Sequence, residues 1–252
     1  MVHESLTVAD ADHLLALVAE GAVFRGCTFD GADLRDMDAA EVELDACSLR
    51  ETDFSNLACD SLRVVDSNLE HARFREAQVR EAESAGSVCT SADFRNARLN
   101  LSRIVDCDLS LCAFAGADLF GAELTGSRLR AVDMTQAKLD ARSFDRWDFS
   151  MASLRGKVFR GRRLVGVNFT EADRSGCDFT GVEFEGCYLT GAIVSEDTVF
   201  DGADLRGAQL SGSQLEKASL SRAIMSATQA HSLLLDRYGI IIADDGNSRP
   251  DV

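Results

Sequence analysis

The stretch "LSLCAFAGADLFGAELTGSRL" (residues 109–129) carries a large apolar residue at every fifth position. A residue with a small side chain stands two positions before each of the last four of these, as in Ala117 before Leu119. Five residues advance an α-helix by about 500°, so fifth positions form no stripe on a helix. An odd step also alternates between the two faces of a strand. The spacing therefore predicts a chain that turns once every five residues and sends the apolar residue inward.

The same phase extends far beyond this stretch. From Phe24 to Val194 it gives 35 positions, of which Leu or Phe fills 25 and a bulky apolar residue fills 30. The spacing becomes six between residues 195 and 200, and the rhythm then resumes up to Met225. Four turns close a square coil of twenty residues, so about ten coils stacked at about 4.8 Å make a rod about 48 Å long. The exceptions to the apolar rule are Ala39, Cys59, Ser84, Cys89 and Arg174.

The repeat unit resembles a known family. Ala32–Asp36, Ala92–Asn96 and Ala117–Gly121 follow the pattern A-(D/N)-L-X-X or its Phe variant, which is similar to that of the pentapeptide-repeat proteins. The resemblance implies an all-β solenoid, a right-handed quadrilateral β-helix of about ten coils. Sixteen of the 19 glycines fall two positions after a core residue, where a turn needs permissive backbone angles.

The ends of such a rod need caps, because they expose core and unpaired backbone groups. We predict an N-terminal cap helix within residues 1–21, with Thr7 as its N-cap and Gly21 after its end. The β-helix then covers residues 22–225. Residues 226–243 form a C-terminal helix, ended by Gly239, and a short strand from Ile240 to Ile242. Residues 244–252 form a flexible tail.

Nothing in the sequence indicates catalysis. The eight cysteines fall on predicted inward positions, and the four histidines are scattered without partners at metal-ligand spacing. The flat walls of the rod offer no cleft that would desolvate a reacting group. We therefore expect a protein that is not an enzyme, with no catalytic residue, no metal and no cofactor.

The net negative charge of the chain limits the kinds of molecule that it can bind. A net charge of −16 repels nucleic acid and membrane phosphates, so we expect no direct binding of either. The N-terminus has no basic region before an apolar stretch, and no stretch has the ~18 apolar residues of a membrane span. The sequence therefore predicts a cytoplasmic protein. The acidic charge either meets a basic partner or serves solubility alone.

Acidic residues recur just before the core residue, where the side chain faces outward. Positions twenty apart share a wall, and one wall collects a column of aspartates that Arg73, Ala113 and Ser153 interrupt. Two interpretations remain open: the carboxylates imitate a phosphate backbone toward a DNA-binding protein, or the aspartates serve the turns by bonding to backbone amides. The candidate partner-binding acids are Asp33, Asp53, Asp93, Asp133 and Asp173 on this wall, and Asp118 on another.

The C-terminal stretch "TQAHSLLLDRYGIII" (residues 228–242) resembles the closing segment of the quinolone-resistance (Qnr-type) pentapeptide proteins. The matching residues are Gln229, Ala230, Ser232, Leu233, Leu234, Arg237, Gly239 and Ile240. The resemblance implies a homodimer, joined end to end, whose acidic rods imitate DNA toward a type II topoisomerase, chiefly DNA gyrase. Such a protein would protect the enzyme from a toxin or an antibiotic, or modulate it. The implied dimer contacts are Leu233, Leu234, Leu235, Tyr238, Ile240 and Ile241.

One belt, residues 142–163, breaks the small-residue rule. Arg142, Trp147, Lys157 and Arg162 occupy slots meant for Ala or Ser, and we expect their side chains to turn outward, since a buried unpaired Arg is costly. The belt is either a junction between two stacks or a contact patch carrying Arg146 and Trp147. Phe120 is the only Phe outside a core position, and we expect it to be exposed beside Leu101 as a second contact. These features favour the alternative function, a non-catalytic scaffold for an unrelated protein partner.

Overall fold

The computed structural model describes residues 2–8, 14, 17, 22–141 and 144–242. Within these residues the backbone winds into stacked square coils that pair in parallel at a spacing of twenty residues. Asp38 lies opposite Ala58 in this ladder, and Ala58 lies opposite Gln78. The predicted all-β solenoid of about ten coils, with a helix at its C-terminus, is confirmed.

Long strands occur on part of the rod, and single-residue bridges connect the coils elsewhere. Strands β1 to β6 form one parallel sheet in chain order, and β7 to β9 form a second. The strands are β1 Val2–Glu4, β2 Ala22–Arg25, β3 Asp38–Asp45, β4 Ala58–Val65, β5 Gln78–Ala85, β6 Arg103–Val105, β7 Arg163–Val165, β8 Glu183–Tyr188 and β9 Asp204–Gln209; a 3-10 turn, Leu215–Lys217, and helix α1, Ala227–Tyr238, follow.

The inside of the rod contains the residues that the five-residue phase predicts. Leu119, Leu124 and Leu129 are fully buried. Below them, four phenylalanines twenty residues apart stack with nearly parallel rings, at centroid distances between 4.9 and 5.2 Å: Phe54, Phe74, Phe94 and Phe114. All eight cysteines are buried, as expected of small core residues. Burial raises the pKa of the Cys59 thiol to about 11 and that of Cys177 to about 12.

The turns between walls fall on the predicted glycines. Of the sixteen glycines predicted at turns, all but Gly207 have a positive φ; Gly207 lies within β9. Gly116, with a φ of 74°, is typical, because a residue with a Cβ pays a steric cost in this left-handed region.

The first residues of the chain do not belong to the predicted cap helix. Residues 2–8 belong to the first coil, since β1 pairs with β2 and Thr7, our predicted N-cap, forms a bridge with Thr28 instead. The cap helix therefore does not begin at Thr7, and the 1–21 boundary is wrong for these residues. Leu14 and Leu17 are helical, Leu14 is buried and Leu17 packs against the core. The rest of the predicted helix lies outside the described residues, as does the predicted tail.

The C-terminal end is closed by α1. Ser226 and Gln229 form a capping box at its start, and Gly239, with a φ of 64°, ends it. The side-chain amide of Gln229 also donates to the backbone carbonyls of Leu205 and Ala208, both at 2.8 Å. Gln229 therefore joins the helix to the last full coil. Among the described residues, no helix is long and apolar enough to cross a bilayer.

The predicted strand after this helix is wrong for the single chain. Residues 240–242 form no strand and are about half exposed. A strand needs a neighbour for its backbone hydrogen bonds, and the described residues of this chain pair none with this segment beyond the Ile240 amide, which donates to Leu234 at the helix end.

We predict that the side chain of Gln229 stabilises the folded protein. Gln229→Ala removes the capping box and leaves the carbonyls of Leu205 and Ala208 without their donor, so we expect the free energy of unfolding to fall by about 1–3 kcal/mol. Chemical denaturation checks this value. Gln209→Ala, at an exposed wall position, is the control and should change stability by less than about 0.5 kcal/mol. Equal effects of the two substitutions would contradict a capping role.

Candidate partner-binding surfaces

The structure brings the predicted acidic residues into one column on one wall. Continuous bridges connect eight outward residues in register, from one end of this aspartate column to the other: Asp33, Asp53, Arg73, Asp93, Ala113, Asp133, Ser153 and Asp173. Asp118 lies in the column of another wall, between Arg98 and Lys138. Neighbouring positions in such a column are about 4.8 Å apart, so adjacent carboxylates repel one another unless cations separate them.

Cations do separate them. Asp53 pairs with Arg73 at 3.5 Å, Asp93 with Arg75 at 2.5 Å, and Asp173 with Arg155 at 3.4 Å. Further pairs join Asp33 to Arg35, Asp93 to Arg95, and Asp118 to Lys138. Hydrogen bonds from Arg35 lower the pKa of Asp33 to about 2. Asp133 accepts a hydrogen bond from the Thr135 amide. The aspartate column is therefore an array of mixed charge, which weakens the interpretation that its carboxylates imitate a phosphate backbone.

The wall opposite the aspartate column alternates in sign along the rod. Glu43, Arg63, Glu83, Arg103 and Glu123 follow one another at intervals of twenty residues, each cation between two carboxylates. The ion-pair distances are 2.7, 3.5, 3.1 and 4.0 Å in chain order. Exposed pairs of this kind stabilise only weakly. Because the paired charges neutralise one another, this wall carries little net charge.

Part of the negative charge without ion pairs lies on the edges of the rod, where one wall turns into the next. Between residues 26 and 191 the edge positions, two after each core residue, hold one base, Arg146. They also hold eight acids: Asp36, Glu41, Glu51, Asp66, Glu76, Glu81, Asp106 and Glu171. All eight are exposed, and within the described part of the chain none forms an ion pair. Counting acids at the edge positions would have found them from the sequence.

The belt contradicts part of the predicted contact patch. Trp147 is 1% exposed and packs against Phe144 and Phe149 at centroid distances of 4.9 and 5.4 Å. Its indole lies in the core, so the prediction that it faces a partner is wrong. Lys157 is also buried, because its ammonium donates to the Ala137 carbonyl at 2.6 Å.

The remaining belt residues are placed as follows. Arg162 is half-buried; it donates to the Ala141 carbonyl at 3.3 Å and pairs with Asp140. Arg142 lies outside the described residues. Arg146 is exposed on an edge, with a φ of 57°. Of the two residues named for the contact patch, Arg146 is at the surface and Trp147 is not.

Phe120 is exposed as expected, with 55% of its surface accessible. The amide of Leu101, which is equally exposed, donates to the Phe120 carbonyl at 2.8 Å from the neighbouring coil. The two side chains therefore lie at the same edge of the rod.

The C-terminal helix presents apolar side chains to solvent. Leu235 and Tyr238 are 46% and 61% exposed, and Ile240 and Ile241 follow at 46% and 56%. Leu233 and Leu234 are half-buried. A groove of about 630 Å³ separates the helix from the last coil and is lined by Leu210, Leu215 and Leu235, among others. Monomeric proteins rarely leave such a contiguous apolar surface uncovered.

Comparison with known proteins places the repeats in a family. A family model described as pentapeptide repeats matches eight copies over residues 20–56, 107–140, 163–195 and 196–229. The structure of HetL, a pentapeptide repeat protein involved in heterocyst differentiation regulation from the cyanobacterium Nostoc sp. Strain PCC 7120, is 20% identical, covers 89% of this chain and 84% of that chain, and gives a TM-score of 0.34.

Full-length QnrB1, a plasmid-mediated fluoroquinolone resistance protein, is 19% identical, covers 95% of this chain and all of that chain, and gives a TM-score of 0.36. Rfr23 from the cyanobacterium Cyanothece 51142 is 14% identical, covers 56% of this chain and 88% of that chain, and gives a TM-score of 0.13. No curated protein matches the sequence. Function must therefore be argued from the residues of this chain.

Proposed function

The chain belongs to the pentapeptide-repeat family, and we propose that it imitates DNA to bind a bacterial type II topoisomerase, DNA gyrase. The observation that carries the proposal is the set of eight carboxylates without ion pairs, two on each of the four edges of a rod whose chain has a net charge of −16. A DNA-binding surface is built to meet regular negative charge on a rod and attracts this one electrostatically. The protein then occupies the DNA site and protects gyrase from a toxin or an antibiotic, or modulates it, in the cytoplasm.

A supercoiling assay tests this function. We expect purified protein to inhibit supercoiling by gyrase at concentrations on the order of micromolar, and the inhibition to weaken as salt is added, because exposed charges are screened. The same assay with a topoisomerase poison present should show fewer cleaved complexes. No inhibition at low salt would contradict the proposal.

The edge carboxylates have a specific test. Asp36, Asp66 and Asp106 have positive φ, and Asn56 and Asn96 already occupy such positions with φ of 60° and 59°, so Asn is tolerated there. We expect the triple variant D36N/D66N/D106N to bind gyrase about tenfold more weakly at low salt, as measured by equilibrium titration.

The control removes an ion pair and keeps the net charge. In E43Q/R63Q both partners of the 2.7 Å pair on the alternating wall are neutralised, and we expect the affinity for gyrase to stay within about twofold of the original. If the control loses as much affinity as the edge variant, the edges do not carry the recognition.

The exposed end of the rod supports the second part of the proposal, a homodimer. Leu235 lines the groove at the last coil, and Tyr238, Ile240 and Ile241 are exposed at and after the end of the same helix. A two-fold contact between two such ends would cover both. In the dimer, residues 240–242 would find the backbone partners that they lack in the single chain.

Tyr238→Glu places a charge in this contact. We expect the variant to elute as a monomer of 27.2 kDa in size-exclusion chromatography with light scattering, whereas the unchanged protein has twice that mass. Ala227→Glu adds the same charge at the exposed start of the same helix and should remain a dimer. An unchanged protein that runs as a monomer would contradict the dimer.

A further inference from the structure

A shallow groove, which we call the trough, lies on the wall that carries the first parts of β3, β4 and β5. Its volume is about 660 Å³, and its lining includes the exposed Ala40 and Ala58 above the buried Ala39, Cys59 and Val79. Other coils of this wall place Leu or Phe in the core, as at Leu99 and Leu119. The floor of the trough is therefore made of small side chains, both inside and outside.

The cysteine beneath the trough serves packing and not reactivity. Cys59 is 4% exposed, and burial raises the pKa of its thiol to about 11. Its thiol donates to the Ser61 carbonyl at 3.1 Å. The trough therefore offers shape, apolar surface and charge, and no nucleophile.

Carboxylates flank the trough on both edges of its wall. Asp36 and Glu76 lie on one edge, Glu41 and Glu81 lie on the other, and Asp38 lies in the trough. Among the described residues none of these five forms an ion pair.

The other charges along the trough nearly cancel. Asp60 pairs with Arg80 at 3.0 Å. The guanidinium of Arg98 donates to the Gln78 side chain at 3.2 Å. The trough is therefore negative over the coils of β3 to β5, whereas Arg98 adds a positive charge at its far end, and the negative part complements a segment that carries several Lys or Arg residues.

The Leu101–Phe120 pair lies next to the far end of the trough. Phe120 follows Asn100, a lining residue, in the same outward column, and Leu101 stands on the adjoining edge. Leu101 has a φ of 63°, a strained conformation for a bulky residue. A Cβ at Gly121 would lie 2.7 Å from Leu101 Cδ2, so the leucine side chain lies over that glycine, beside Phe120. A strained apolar pair exposed at the end of a charged groove is well placed to receive an apolar side chain.

We propose that the trough is the docking site for one basic segment of the partner protein, with an apolar side chain of that segment packed against Phe120 and Leu101. This inference rests on the proposed function, and the partner is then the DNA-binding surface of gyrase. Lys and Arg side chains of the segment reach Asp38 in the trough and Asp36, Glu41, Glu76 and Glu81 at its edges. The apolar contact adds what a DNA phosphate backbone does not have, so it distinguishes this protein from DNA.

Two substitutions test the site with gyrase holoenzyme as the probe. Ala58→Arg fills the exposed floor of the trough and adds a positive charge to it, and Phe120→Ser removes the apolar end. We expect each to weaken binding to gyrase by about tenfold or more, with an unchanged far-ultraviolet circular dichroism spectrum.

Matched controls lie on other parts of the rod. Ala113→Arg makes the same change at the same repeat position on the aspartate column, and Val158→Ser removes another exposed apolar side chain, 60% accessible. Both should bind within about twofold of the unchanged protein.

The outcomes separate this inference from the function on which it rests. If unchanged protein binds gyrase and Ala58→Arg binds equally well, or if Ala113→Arg loses as much affinity, the trough is not the docking site and the proposed function stands. If unchanged protein does not bind gyrase, the proposed function and this inference both fail.

Discussion

Phe94→Ala is expected to lower the free energy of unfolding by about 3–5 kcal/mol. The ring of Phe94 is 7% exposed and lies between Phe74 and Phe114, at centroid distances of 5.2 and 5.0 Å and interplanar angles of 11° and 7°. Alanine leaves a cavity between two rings that the surrounding coils hold at their spacing, so the gap closes only in part. Denaturation in guanidinium chloride measures the loss.

Phe120→Ala is the control for this prediction. It removes the same side chain from an exposed position, where no cavity forms, and should change the free energy of unfolding by less than about 0.5 kcal/mol. Phe94→Ala with a loss below about 1 kcal/mol would show that the stacked rings do not hold the coils together.

Arg174→Leu is expected to raise the free energy of unfolding by about 1–4 kcal/mol. Arg174 occupies a core position and is fully buried, and within the described residues its three guanidinium nitrogens have no hydrogen-bond partner. Burial lowers its pKa to about 10. The rings of Phe169, Phe179 and Phe200 lie between 5.7 and 5.9 Å from the guanidinium carbon and offset part of the desolvation.

Leucine is the residue that the repeat places at this position, as at Leu154 one coil below. Thermal unfolding gives the shift, and Arg155→Leu is the control. Arg155 is an exposed arginine of the neighbouring coil, paired with Asp173 at 3.4 Å, and its removal should cost less than about 1 kcal/mol. If Arg174→Leu destabilises the protein, the buried guanidinium has a role that the contacts of the fold do not explain.

The interior could be predicted from the sequence because one rule governs it. A turn every five residues fixes which side chains point inward. The exceptions to the large apolar residue are also informative, because Ala39 and Cys59 are twenty residues apart and form part of the floor of the trough. The same rule placed the aspartate column in register, from Asp33 to Asp173.

The five-residue rule does not predict which charged side chains of adjacent coils form ion pairs. Arg75 pairs with Asp93, eighteen residues later, and Arg73 pairs with Asp53, twenty residues earlier. Side-chain length and direction decide such pairs, so the wall appeared more negative in the sequence than it is. The prediction that Trp147 turns outward was wrong for a different reason. Burying an unpaired Arg is costly, but burying an indole that packs against Phe144 and Phe149 is not.

The ends were the least predictable part. Thr7 is of a residue type that N-caps favour. It pairs with Thr28 instead and extends the ladder by another bridge, so tertiary pairing outweighs the local preference. At the other end, the capping box of Ser226 and Gln229 agrees with the predicted helix, whereas a strand at residues 240–242 requires a partner that a single chain does not supply.

Competition with DNA tests the central claim most directly. Labelled protein bound to gyrase is titrated with duplex DNA, and fluorescence anisotropy reports the bound fraction at several salt concentrations. If the rod imitates DNA, duplex displaces it completely, the apparent Kd rises in proportion to the DNA added, and affinity falls steadily with salt. A ternary complex in which gyrase holds both DNA and this protein, with an affinity that salt does not change, would contradict the account.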